Sequence, residues 1–174
     1  MKIRRALPSD ALQMHRVATT LQLEGRDLQL AQETGFFLFV GTPEHYRNTL
    51  TASPYCWVAM DDENCVGFLT TMTSGGVAKF PKPKSRELFA KDGKYPLVLE
   101  QIGVLPDWQR RGVGQALLDT LVQECPEPRM VSTIIHQPVR NTRSIQFLVE
   151  KNGWKPWREV RTEKRVWGFY EWEK

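Results

Sequence analysis

Between Ile102 and Leu118 the chain reads Ile-Gly-Val-Leu-Pro-Asp-Trp-Gln-Arg-Arg-Gly-Val-Gly-Gln-Ala-Leu-Leu, and no other stretch restricts the fold as strongly. The apolar run from Pro96 to Leu105 predicts a strand that stops at Pro106, where the missing N–H ends a ladder. Gly112 and Gly114 follow and open a segment in which Val113, Ala116, Leu117, Leu118 and Leu121 recur at helical spacing as far as Glu124. A helix start offers unpaired N–H groups and the positive end of the macrodipole. Glycine lets a bulky anion approach the backbone without meeting a Cβ. Arg110 and Arg111 add positive charge. Strand, tight turn and glycine-opened helix together describe a cradle for a phosphate or pyrophosphate.

The rest of the chain supplies a single domain, 1–174, around this turn. Apolar residues are 41% of the sequence and it carries six Trp, eight Phe and four Tyr, enough to build a core and to exclude disorder. Residues 2–6 suit a first strand, and Pro8-Ser9-Asp10 starts a helix running through residue 22. Thr42 and Pro43 cap and open a second helix that stops before Pro54. Tyr55–Met60 and Cys65–Thr73 form a hairpin around Asp61–Asn64. Met130–His136 is a strand, Asn141–Lys151 a helix ended by Asn152-Gly153, and 154–160 with 165–172 a closing antiparallel pair. Alternating strands and helices in the second half require a crossover and some parallel pairing. Segment 75–95 holds Lys79, Lys82, Lys84, Arg86, Lys91 and Lys94 against Glu87 and Asp92, so it alone carries as much net charge as the whole chain at +4. A solvated loop or short helix is the plain reading of it, and a lid over an acidic ligand the competing one.

Three cysteines, Cys56, Cys65 and Cys125, form no CxxC pair, which argues against a zinc ribbon, a redox motif or a disulfide framework. Free thiols and the lack of an apolar leader point to the cytoplasm. No apolar run reaches the roughly 20 residues that span a bilayer. The glycine-rich turn excludes two familiar phosphate binders. No GxxxxGK[ST] string is present, and a dinucleotide-binding turn places its first glycine at the strand end, with a third glycine where Leu117 stands here. Instead, Val104-Leu105-Pro106 followed by Gln109-Arg110-Arg111-Gly112-Val113-Gly114 resembles the Gcn5-related N-acetyltransferase (GNAT) superfamily. Its signature is Val-x-Pro, then [Arg/Gln]-x-x-Gly-x-[Gly/Ala]. Asn141 to Trp154 is similar to the family's Asn-x-x-Ala-x-x-(Leu/Phe)-Tyr-Glu-Lys-x-Gly-Phe helix, with one extra residue.

The resemblance implies an α+β (α/β) fold: a mixed, mostly antiparallel sheet of about six to seven strands flanked by about four helices, with a splayed strand pair taking the cofactor. It implies acetyl-CoA (coenzyme A) as acyl donor and a primary amine of a small molecule or peptide as acceptor. Cofactor-binding positions carried over are Ile102 and Val104 on the splayed strand, Gln109, Arg110, Arg111, Gly112, Val113, Gly114 and Gln115 at the cradle, and Asn141. The last of these reads equally as a helix N-cap. Val104 N–H is the expected oxyanion donor.

Catalytic carry-over is less complete. Alternation along the strand puts Val98, Glu100, Ile102 and Val104 on one face. The family often places its base four or six positions before the Val-x-Pro valine; these are Glu100 and Val98, so Glu100 is the expected base. A structural edge carboxylate is the competing reading. The usual general-acid Tyr is replaced by Leu148 or Val149. His136 and Tyr170 are candidates for the proton donor, and a hydrogen-bonded strand end is the plainer reading of His136. The resemblance places acceptor contacts at Glu24, Arg26, Asp27, Phe36 to Phe39, segment 75–95 and Trp157 to Trp172; Glu24, Asp27 and Glu33 could hold an amine but read more plainly as solvated, and the aromatic residues from Trp154 to Trp172 as packing of the closing sheet. No metal site, nucleic-acid motif or membrane segment is expected, and a homodimer is compatible. An acyl-CoA-binding module with weak or no catalysis is the alternative function.

Overall fold

The computed structural model describes residues 1–174, the side chain of Pro83 excepted. Seven strands form one sheet in the order β1-β2-β3-β4-β5-β7-β6. In chain order these are β1 (Lys2–Arg5), β2 (Trp57–Asp61), β3 (Asn64–Met72), β4 (Leu97–Val104), β5 (Arg129–Gln137), β6 (Lys155–Arg161) and β7 (Val166–Glu173). Every neighbouring pair is antiparallel except β4 with β5. The helices are α1 (Ala11–Thr20), α2 (Leu28–Thr34), α3 (Pro43–Ala52), α4 (Ser74–Ala78), α5 (Pro83–Glu87), α6 (Val113–Glu124) and α7 (Thr142–Ile145). The mixed, mostly antiparallel sheet agrees with expectation. Three short helices, α2, α4 and α5, lie in the stretches that carry weak periodicity in sequence.

Two cores form, one on each face. On one side Leu117, Leu118 and Leu121 of α6 pack on Leu97, Leu99, Met130 and Ile134, with Leu148 and Trp154 closing the cluster. On the other, Met14, Val17 and Ala18 of α1 and Tyr46 and Leu50 of α3 pack on Val58 and Phe68. Local chemistry sets the helix ends. Thr42 accepts from His45 N–H at 3.2 Å, with Pro43 in the first turn. Asp10 is buried; it accepts both Arg4 Nη1 and Nη2 at 2.7 and 2.8 Å and Leu7 N–H at 2.7 Å, which ties β1 to the start of α1.

Strand β4 breaks the simple alternation. Thr70 pairs with Gln101 but Thr71 pairs with Leu99, so Glu100 is the extra residue of a β-bulge. An inserted residue shifts the parity of every side chain beyond it. Ile102 and Val104 therefore share the α6 face with Leu97 and Leu99, rather than with Val98 and Glu100 as uninterrupted alternation predicts. The α7 stretch also departs from its expected form. It continues as a π-turn over Gln146–Lys151 and is capped by Gly153 N–H to Val149 O at 3.1 Å and Trp154 N–H to Leu148 O at 3.0 Å. A π-turn absorbs one additional residue without ending the helix, which accounts for the extra position in this segment.

All three cysteines are buried and unpaired. No helix among the described residues is long and apolar enough to cross a membrane. Segment 75–95 is pinned at the closed end of the β4–β5 pair: Phe89 packs on Phe169 at 5.2 Å, and Lys91 Nζ bonds Glu173 at 2.8 Å and Glu171 at 3.2 Å. Leu117 is fully buried at the centre of the first core. Its replacement by Ala is expected to destabilise the fold by about 2–5 kcal/mol, read as a lower midpoint in urea denaturation with an unchanged slope.

Candidate active site

Strands β4 and β5 pair only at Leu97–Met130, Val98–Val131 and Leu99–Ser132, and then separate. Ser132 Oγ donates to Leu99 O at 3.0 Å at the point of divergence. Beyond it β5 keeps pairing with β7 as far as Gln137–Val166, so the gap opens on the β4 side alone. A cleft of about 220 Å³ fills the gap, walled by Ile102 on β4, Ser132 to Ile135 on β5, Phe36 to Phe39, and Ser144, Phe147 and Leu148 of α7 and its π-turn.

The open edge of β4 faces this cleft. Leu105 N–H donates to Val66 O at 2.9 Å on the β3 side. In an antiparallel ladder consecutive residues point their polar groups to opposite sides, so those of Val104 and Ile102 turn away from β3. Gln109 Nε2 donates to Val104 O at 3.1 Å, in agreement with that direction. Val104 N–H is thus left facing the gap. Gly103 must be small because a Cβ there would lie 2.9 Å from Phe37 Cζ and 3.0 Å from Leu21 Cδ1.

Two further cavities adjoin the cleft on the way to α6. A neighbouring cavity of about 100 Å³ shares Phe36, Phe37, Ile102, Ser144 and Phe147 with it. A third, of about 160 Å³, shares Gln109, Gly114, Arg143 and Phe147 with the second and ends on Arg110, Gly112 and Gln115. Among the described residues, none of the backbone N–H groups from Arg110 to Gln115 finds a carbonyl acceptor in the chain; the first helical bond is Ala116 N–H to Gly112 O at 2.9 Å. Arg110 and Gly112 both lie in the left-handed region, at φ 61 and 82, which bends the turn into a concave amide array. Arg111 leans over the Trp108 ring at 5.4 Å. Gln115 spends its side chain on Asn152 at 2.6 Å and Asp119 at 2.8 Å, so its backbone amide is what it offers the groove.

Glu100 stands at the other end of the groove. Its side chain keeps accessible surface, yet protein surrounds it on most sides and burial alone pushes its carboxyl up to about 7. Accessible surface decides whether a substrate can touch the carboxylate, and the density of surrounding protein decides its pKa; the floor of a concave cleft combines the two. No hydrogen bond or ion pair engages this side chain among the described residues. The nearby polar groups are already committed: Tyr46 OH donates to Gln101 Oε1 at 2.8 Å and Gln101 Nε2 to Phe39 O at 3.0 Å. Burial raises the Tyr46 hydroxyl to about 12.

Several sequence candidates lie elsewhere or hold the scaffold. Arg26 donates to Gly35 O at 3.0 Å, Leu21 O at 3.3 Å and Thr34 Oγ1 at 2.7 Å, so its guanidinium clamps the 21–35 loop and is not available to an acceptor. Asp27 caps α2 through Leu30 N–H at 2.9 Å. Asn141 is buried at the start of α7; its Oδ1 accepts from Ser144 N–H at 3.1 Å, its Nδ2 donates to Phe36 O at 2.9 Å, and it also lines the cleft. Both ring nitrogens of His136 are engaged, with Glu159 Oε2 at 3.0 Å and Tyr170 OH at 2.8 Å. That arrangement is the hydrogen-bonded strand end, and Gly168 makes room for the ring. On the α7 side the cleft meets Phe147 and Leu148, so no phenol stands there. Sequence reasoning missed Ser144 and Phe147, which the helical turn after Asn141 presents to the groove.

An open edge strand, a splayed parallel pair and a helix start with unbonded amides define a protein built to take an extended, anionic acyl carrier. The model of the Acetyltransferase (GNAT) family matches residues 23–154, and the chain belongs to that family. Solved structures agree on the fold. Arabidopsis thaliana Naa50, in complex with the bisubstrate analogue CoA-Ac-MVNAL, superposes with a TM-score of 0.67 at 14% identity over 99% of this chain and 98% of its own. Ard1 from Thermoplasma volcanium gives 0.69 at 15% identity, covering 99% and 96%. The ribosomal-protein-S18-alanine N-acetyltransferase of Escherichia coli gives 0.65 at 13%, covering 99% and 92%. No curated protein sequence matches the chain.

Two outcomes follow from this geometry. Gly112→Ala forces a Cβ into the left-handed region, so a loss of about 1–2 kcal/mol of stability and weaker acetyl-CoA binding are expected. Gly114→Ala, whose Cβ would meet Phe147 at an ordinary 3.7 Å, should bind normally; calorimetry and denaturation of the two variants check this. Glu100 carries a raised folded value against an ordinary 4.5, so the folded chain binds the extra proton. Stability should therefore fall as pH rises from 4.5 toward 7 and then level, and Glu100→Gln should remove that slope in a pH series of urea melts.

Proposed function

We propose that this protein is an acetyl-CoA-dependent N-acetyltransferase that moves an acetyl group to a primary amine by direct attack, as one domain spanning 1–174. The observation that carries the reading is the row of adjoining cavities from the unbonded amides of Arg110–Gln115, along the open edge of β4, to the unpaired Glu100 carboxyl.

The cradle fits a diphosphate. The unbonded amides of Arg110 to Gln115 border one concavity, the α6 start adds its positive dipole end, and Arg110 and Arg111 add charge. Backbone groups of Ile102 and Val104 suit an extended amide-bearing arm laid along β4 as an added strand. Asn141 supports the same arm by holding Phe36 in the cleft wall, which it also lines itself. Bound acetyl-CoA supplies an activated thioester acyl group. Val104 N–H donates to the acyl oxygen as charge accumulates on it. Glu100 takes the proton that the acceptor amine must lose, directly or through one water. Its raised value suits that task near neutral pH, because a base must be ionised yet basic enough to hold the proton. With Phe147 and Leu148 facing the cleft from the α7 side, the departing thiolate takes its proton from solvent or from the protonated Glu100.

That apolar α7 wall also favours the second reading, a binding module for acyl-CoA that turns over weakly or not at all. One variant separates the two. Glu100→Gln should lower kcat/KM for acetyl transfer at least tenfold, the low end for loss of a general base, with acetyl-CoA affinity within about twofold of the native protein. Native kcat/KM should rise with pH through about 7, and the Gln variant should lack that limb. Thiol release measured with a panel of amines reports both. Full turnover in the Gln variant refutes the base, and zero release with every amine despite tight acetyl-CoA binding leaves the binding module.

A further inference from the structure

Glu100 borders a second cavity, distinct from the splayed cleft and touching it only at this side chain. The cavity holds about 240 Å³ between α3 and the junction of β3 with α4. One wall is a stripe of α3: His45, Asn48, Thr49 and Ala52 recur three and four apart and so share one face of the helix. The opposite wall is the end of β3 and the start of α4. Its hydroxyls are already bonded. Ser53 and Thr71 share a hydrogen bond of 2.7 Å, Thr71 donates on to Tyr55 O at 2.8 Å, and Thr73 accepts from Gly76 N–H at 3.1 Å. This wall therefore shows methyl groups and the Met72 thioether. Gly76 keeps Met72 in place, since a Cβ at that position would stand 2.8 Å from Met72 Cγ.

The charge pattern is as informative as the shape. No Lys or Arg lines this cavity, and Glu100 is its one carboxylate. The splayed cleft likewise has Glu100 as its one carboxylate and neither Lys nor Arg in its walls. A cationic amine has one place to go, beside Glu100. A second cation on the same molecule would find no second carboxylate, and a carboxylate would face Glu100 with only the His45 ring to offset the like charge. Besides the Glu100 carboxylate and the Thr73 hydroxyl hydrogen, hydrogen-bonding capacity without a partner in the chain, among the described residues, lies on the α3 stripe: the His45 ring, the Asn48 amide and the Thr49 hydroxyl. The volume is below that of a pocket for a drug-sized ligand.

We propose, resting on the acetyl-transfer reading above, that this α3–β3 cavity receives the substituent of the acceptor, and that the acceptor is a small-molecule primary amine whose substituent is uncharged, apolar toward Met72 and carrying a hydroxyl or amide toward Asn48 and Thr49. The reacting nitrogen then sits at the junction of the two cavities, with the acyl donor on one side of Glu100 and the amine's tail on the other.

Matched amines test the class directly. With acetyl-CoA and a thiol-release assay, 3-amino-1-propanol should exceed β-alanine, 1,3-diaminopropane and an alanine-led tripeptide in kcat/KM by about tenfold or more, the scale of a site that leaves a charge unpaired. Ala52 is exposed on the α3 stripe, so Ala52→Phe should fold and fill the cavity. It should raise KM for the amino alcohol about tenfold or more and leave acetyl-CoA affinity unchanged. Asn48→Phe, also at an exposed position, replaces it if the first variant does not fold. Preference for the acidic, dibasic or peptide acceptor overturns the assignment, as does a KM indifferent to the filled cavity. Either result leaves the acetyl-transfer reading standing so long as Glu100→Gln silences turnover. Turnover unaffected by Glu100→Gln, or none with any amine, overturns that reading and this one with it.

Discussion

The site depends on β4 giving up its partner. After Leu99–Ser132 the two parallel strands diverge, and the backbone of Ile102 and Val104 loses the ladder bonds that would otherwise satisfy it. Such an edge inside a sheet is costly unless something covers or completes it. The fold contains the cost by making the neighbours self-sufficient. β5 stays paired with β7 to Gln137–Val166 and β4 stays paired with β3 to Val104–Gly67, each across one bulge, and Gln109 takes up the Val104 carbonyl. What remains open is a short line of backbone with no partner strand, the line along which the proposed acyl carrier would lie.

Walls around the gap are held by polar clamps rather than by packing alone. Arg26 gathers the carbonyls at both ends of the 21–35 loop, and Asn141 ties Phe36 to the start of α7. Leu23 N–H donates to Phe37 O at 2.9 Å and Phe37 N–H to Leu21 O at 2.8 Å, which closes that loop on itself. Each clamp uses a charged or amide group where backbone carbonyls would otherwise be buried unbonded. The consequence for function is a preformed groove whose apolar side chains, Phe36, Phe37 and Phe147, do not depend on the ligand for their position.

The bulge at Glu100 joins structure to chemistry. One extra residue turns a carboxylate out of the regular pleat and toward α3, and at the same time returns Ile102 and Val104 to the α6 face. A carboxylate with no bonded partner, flanked by cavities free of Lys and Arg, is unfavourable for folding when ionised. The proposed role as base is one that such a perturbed carboxylate in a cleft suits.

Much of this was legible in the residues alone. Val104-Leu105-Pro106 and the turn from Gln109 to Gly114 announce strand, stop and anion cradle, because proline, glycine and helical periodicity act locally. Thr42-Pro43 and the hairpin around Asp61–Asn64 are local in the same way, and so is the lone glutamate in an apolar strand. Other features depend on partners far along the chain. The Glu100 bulge exists only against the register of β3, and the commitment of Arg26 and His136 to other groups only in the folded loop and sheet. The cavity beside α3 exists only once α3 lies over the end of β3. Local patterns of φ, capping and polarity are written residue by residue. Parity, cavity shape and the availability of a side chain are properties of packing, so only the tertiary structure decided them.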